Sequence, residues 1–174
     1  MATAITRPES TEYPKYYANY IGKVQGNDLF AAMQATHRDT QALIGSLTEE
    51  QLRYRYEEGK WTIKDIIGHL IDAERIFAYR ALCFARKDKT DLPGFDENEY
   101  VPASNANKRN IHDLLAEFTV VRASTLSLLK SFSEEMLTHI GTANHNPISV
   151  RSLAYIIGGH EMHHLAVIKE RYLK

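Results

Sequence analysis

Residues 149–171 read SVRSLAYIIGGHEMHHLAVIKER, and this stretch decides the fold. Leu153, Ile156, Ile157, His160, His164, Val167 and Ile168 recur at three- and four-residue steps, the spacing that lines one face of an α-helix. Ser149 stands at the head of the run as an N-cap. His160 and His164 are one helical turn apart, which puts their Cβ atoms about 5–6 Å from each other on the apolar face. Imidazoles turned into a protein interior need partners, because an unpaired buried polar ring is costly. One shared divalent ion satisfies both.

A third ligand completes a usual open metal site, and a second long helix offers one. From about Ile63 to Arg86, the residues Ile63, Ile66, Ile67, Leu70, Ala73, Ile76, Phe77 and Arg80 trace a second inward stripe, with His69 beside it. Thr62 is the expected N-cap, Asp65 completes an imperfect capping box, and Lys64 is expected to be exposed. Bundle sites are built from facing helices, so the long separation of His69 from His160 is no obstacle. The candidate ligands are His69, His160 and His164.

Two further amphipathic helices follow from the same spacing. One runs from about Asn27 to Ser46, capped by Asn27 or Asp28. The other runs from about Lys108 to Phe132, through Ile111, Leu114, Leu115, Phe118, Val121, Thr125, Leu128 and Leu129. Residues 48–60 and the SEEML stretch that Ser133 opens and caps read as short helical turns. Residues 88–106, rich in Pro, Gly, Asn and Asp, read as a long loop of about 20 residues, and GTANHNPIS as a polar connector. The aromatic segment 1–25, with Tyr13, Tyr16, Tyr17 and Tyr20, is expected to lie across the bundle. Four long helices and no convincing strand predict a single all-α domain over 1–174, a four-helix bundle.

Composition narrows the function. Lys and Arg number 21 against 22 Asp and Glu, with no long charged block, so nucleic acid is not an expected partner. No stretch approaches the roughly 18 apolar residues of a membrane span, and the first residues lack the pattern of a secretory signal. The lone cysteine, Cys83, cannot form an intramolecular disulfide. A cytoplasmic protein acting on a small molecule is expected.

Other readings of the same residues stay open. The run His160-Glu161-Met162-His163-His164 matches the H-E-x-x-H motif of metalloproteases, in which Glu161 would be the general base. Only ten residues follow His164, with Glu170 the sole carboxylate, which leaves little room for the downstream third ligand of that class. His163 lies about 100° around the helix from His164. His37, His112, His139 and His145 read as solvated or capping groups, and Asp65 and Asp72 either as partners that orient His69 or as the solvated edge of the same helix.

The motifs Tyr16-Tyr17-Ala18-Asn19-Tyr20-Ile21, Trp61-Thr62-Ile63-Lys64-Asp65, Gly68-His69-Leu70-Ile71-Asp72-Ala73-Glu74, Leu92-Pro93-Gly94-Phe95-Asp96-Glu97-Asn98 and Gly159-His160-Glu161-Met162-His163-His164 occur in order along the chain. In this they resemble the DinB-like superfamily, including the YfiT-type metal-dependent enzymes. The resemblance implies an up-up-down-down bundle, often a twofold homodimer, with His69, His160 and His164 binding zinc or nickel. It also implies one of two activities. A thiol S-transferase would use a low-molecular-weight thiol such as bacillithiol or mycothiol, and a hydrolase would use water. Three neutral imidazoles leave the ion its double charge and an open position, which favours deprotonation of either nucleophile. The alternative is a non-catalytic, stress-related binding or structural bundle in which the ion only stabilises the fold.

Overall fold

The structure is a computed structural model and describes residues 4–173. Four long helices form its frame: α2 (Leu29–Gly45), α4 (Ile63–Ala85), α6 (Ile111–Lys130) and α8 (Val150–Val167). Each begins at a side chain that accepts an otherwise unpaired backbone N–H, at Asp28, Thr62, Asn110 and Ser149. At Thr62 the capping box closes in both directions, and Asn107 donates to Asp65 Oδ1 at 2.6 Å, so the start of α4 is held firmly. Among these four, α4 packs on α6 and α8, and α2 closes the ring against the same two.

Short elements ride on this frame. A 3-10 turn (Lys15–Tyr17) leads into α1 (Ala18–Lys23), and α3 (Glu49–Arg53) and α7 (Glu134–Thr138) are the two short helical turns expected. The aromatic N-terminal segment does lie on the bundle as far as it is described; residues 1–3 lie outside the described residues. Its α1 sits so close to α8 that a Cβ on Gly159 would fall 1.8 Å from the Tyr20 carbonyl oxygen. Only glycine permits that approach.

Apolar side chains segregate into two clusters. One contains Met33, Phe77, Phe84, Leu129 and Ile156; the other contains Ile44, Ile66, Leu70, Phe118 and Ile168. At the seam each helix contributes buried polar groups: His37 and Thr40 from α2, Glu74 from α4, Arg122 and Thr125 from α6, and His160 and Glu161 from α8. The metal candidates therefore sit in a polar layer across the middle of the bundle.

Four sequence expectations need correction. Residues 88–106 are not a featureless loop, because β1 (Asp91–Leu92) and α5 (Glu97–Ala103) lie within them. Strands do exist: β2 (Ile140–Ala143) pairs in parallel with β1 and antiparallel with β3 (Asn146–Ser149), so the expected polar connector is a hairpin. Its turn residues, Asn144 and His145, both have left-handed φ, 50° and 61°, and His145 stands where glycine usually signals such a turn. Lys64 is buried, 2% exposed, with Nζ 2.9 Å from Glu49 Oε1. His37 is also buried rather than solvated, its Nε2 3.2 Å from Thr119 Oγ1.

Candidate metal centre

The regular turn of α8 carries His160 and His164 on one side, and α4 presents His69 opposite them. His160 Nε2 lies 3.0 Å from His69 Nε2 and 3.0 Å from His164 Nε2. The ring centroids are 4.6–5.1 Å apart. Burial lowers the His69 pKa to about 4. Burial, reinforced by the neighbouring imidazoles, holds His160 and His164 well below the ordinary histidine range. Three neutral rings therefore point their Nε2 atoms at one place. If the central His160 Nε2 carries a proton, it can donate to one neighbour only, which leaves the other contact unsatisfied. A cation replaces that frustration with three favourable bonds. Ring nitrogens bound tetrahedrally to zinc at their usual distance lie about 3.3 Å apart, close to the spacing found here. The donor set fits the group.

Aromatic side chains wall the triad. Trp61 stands 4.9 Å from the His69 ring and stacks at 6.4 Å on His164, Tyr20 is 5.1 Å from His160, and Phe77 is 6.2 Å from His160. Trp61 is anchored where the chain enters α4, and its carbonyl accepts from the Tyr172 hydroxyl at 2.7 Å beyond the end of α8. The three histidines open into a cavity of about 410 Å³, also lined by Arg80, Phe95, Glu97 and Asn144. Thus α5 and the β2–β3 turn, which the sequence showed only as polar connectors, form one side of it.

Glu161 is not placed as a base. Its Oε2 accepts from Arg122 Nη1 at 2.8 Å and its Oε1 is 3.5 Å from His37 Nδ1, within the bundle core. Burial acts to raise its pKa, but His37 and Arg122 outweigh that and hold it lowered. Arg122 also pairs with Glu74 through both Nε and Nη2, at 2.9 and 2.7 Å. Burial acts to lower the guanidinium pKa, and the two carboxylates reverse that and raise it. Of the two proposed partners of His69, Asp65 is committed to the capping box and Asn107. Asp72 is half-buried next to Arg75 and Glu117. His163 stands outside the cluster, its ring 5.3 Å from that of Tyr20.

The sequence profile of the DinB superfamily matches residues 32–168, which hold all three histidines. The chain belongs to the DinB superfamily. Among similar proteins, each named "Putative metal-dependent hydrolase", one from Geobacillus kaustophilus is 27% identical over 151 residues, covering 84% of this chain and 83% of its own length. Another, from Oceanobacillus iheyensis, is 29% identical over 128 residues, covering 72% and 73%. YfiT from Bacillus subtilis, a protein with an unusual four-helix bundle topology, superposes with a TM-score of 0.72 at 16% identity over 94% of this chain and 89% of its own. That likeness shows the fold of this DinB-superfamily chain: a four-helix bundle. Among its described helices, none is long and apolar enough to cross a membrane.

Proposed function

We propose that the protein is a metal-dependent hydrolase in which His69, His160 and His164 hold one zinc or nickel ion. The observation that carries this reading is the convergence of three neutral Nε2 atoms, from buried His69 and His160 and half-buried His164, at the floor of a cavity large enough for a small substrate. The names of the similar proteins support it. When bound, such an ion supplies Lewis acidity and lowers the pKa of an attacking water. The chain supplies the rest. Trp61, Tyr20 and Phe77 keep bulk water from the triad, and Tyr20, whose pKa burial raises, keeps its phenolic proton available for donation. Among the described residues, Glu97 is the sole carboxylate lining the cavity, and its side-chain oxygens are the acceptors for the proton that the nucleophile loses.

The test joins metal content to turnover. Untagged protein should carry about one ion per chain, and a His160→Ala/His164→Ala variant none. The loaded protein should hydrolyse members of an ester and amide panel, with the double variant inactive and Glu97→Gln slowed by about 100-fold. No retained ion, or loaded protein without hydrolysis, would overturn the proposal. A rate that requires bacillithiol, mycothiol or another small thiol would replace it with thiol transfer.

A further inference from the structure

Resting on that cavity as the reaction site, we propose that Arg80 recognises an anion there, and that the ligand is a small molecule bearing a carboxylate at the end remote from its reacting bond. His69, Ala73, Phe77 and Arg80 all line the cavity and follow one another at three- and four-residue steps along α4. The helix thus runs one continuous stripe from the triad to the guanidinium. Phe77 bridges the two ends, its ring 6.2 Å from that of His160 and 5.7 Å from Arg80 Cζ.

Arg80 is 4% exposed, which is rare for an arginine without a carboxylate partner. The contrast with Arg122 is direct. Arg122 is equally buried and has Glu74 and Glu161. Arg80 forms no ion pair among the described residues. Its Nη2 donates to the Pro93 carbonyl at 2.6 Å, the Tyr17 phenol lies beside it, and Phe77 and Phe95 face it. A guanidinium offers five N–H donors, so donors remain for a ligand in the cavity. Its planar fork matches a carboxylate, and the aromatic walls accept an apolar body. A single cationic side chain among aromatic rings, with Glu97 lining the same cavity, favours a monoanion over a phosphate dianion.

Calorimetric titration of the zinc-loaded full chain with 4-phenylbutyrate and its neutral amide tests this. The wild type should bind the acid at least about tenfold more tightly than the amide. Arg80→Gln should weaken the acid by about 10- to 100-fold and leave the amide unchanged, and Arg80→Lys should fall between. Equal weakening of acid and amide would mean that Arg80 only holds the Pro93 segment, and would overturn the proposal. So would an acid preference that survives Arg80→Gln, since the ion would then be taking the carboxylate. No acid binding by the wild type, or tighter binding of phenylpropyl phosphate than of the acid, would overturn it as well. Failure of the metal reading shows separately, as no zinc uptake, and the acid–amide difference is then read on the zinc-free protein.

Discussion

Adjacent residues on α8 serve two different polar clusters: His160 Nε2 lies 3.0 Å from His69 Nε2, while the next residue, Glu161, accepts from Arg122 at 2.8 Å. The step of about 100° around the helix between them sends one side chain to the cavity and the other to the Arg122 network. The seam network reaches all four long helices through His37, Glu74, Arg122 and Glu161. It therefore fixes how α8 is rotated and so where His160 and His164 point.

Arg122→Met tests that role. The substitution leaves Glu74 and Glu161 buried without their shared cation, which should cost about 3–5 kcal/mol in urea unfolding. Glu161→Gln keeps an acceptor for Arg122 and leaves Glu74 as its counter-charge. It should cost only about 1–2 kcal/mol, with metal content and turnover retained. Loss of turnover in a folded, metal-loaded Glu161→Gln protein would restore Glu161 as a base.

The long helices and the triad were legible because both depend on period. An apolar stripe over 18 or more residues gives many consistent positions, and His160, His164 and His69 sit on or beside such stripes. Strands of two and four residues give almost none, and the β2–β3 turn carries Asn-His instead of Asn-Gly. Pro93, Gly94 and Pro102 made residues 88–106 look irregular, yet Pro102 is accommodated within α5. The buried network was illegible for another reason. Lys64, Glu74 and Arg122 are charged, and charge in a sequence suggests solvent until a partner from a distant helix is found. Arg80 was placed correctly on the inward stripe, but its missing carboxylate is visible only in three dimensions.

Gly159→Ala tests the seating of α1. The added methyl would overlap the Tyr20 carbonyl, a backbone atom that cannot swing aside, so α1 must move off α8. A loss of about 2–3 kcal/mol in stability is expected. Because Tyr20 packs on the His160 ring, hydrogen exchange in α1 should accelerate and the substrate KM should rise. Unchanged exchange would mean that the close approach is not maintained in solution.

Acid should loosen the N-terminal segment at one identifiable pair. Glu12 accepts from Arg151 Nε at 2.8 Å, and Arg151 lowers the Glu12 pKa from 4.5 to about 2. A carboxylate whose folded pKa is depressed contributes stability that is complete above its unfolded pKa and is lost as pH falls through the folded value. The stability difference between wild type and Arg151→Gln should thus be constant above pH 4.5 and shrink between pH 4.5 and about 2. A difference independent of pH across that window would assign the effect to Arg151 packing and its contact with Thr6 instead.

Removing the metal should separate an open, reactive site from a structural one. Two apolar clusters pack the bundle on either side of the seam, so the core does not depend on the ion to assemble. Chelated protein should keep its helical circular dichroism and lose only the stability conferred by binding, about 2.7 kcal/mol when free zinc is 100 times its Kd. Zinc should raise the Tm of wild type and of His163→Ala, and should do nothing for His69→Ala, His160→Ala or His164→Ala. An apoprotein that unfolds outright would resemble a small zinc-dependent domain, in which binding energy is folding energy. The triad would then be a structural clamp, and the cavity above it would need another explanation for its buried arginine.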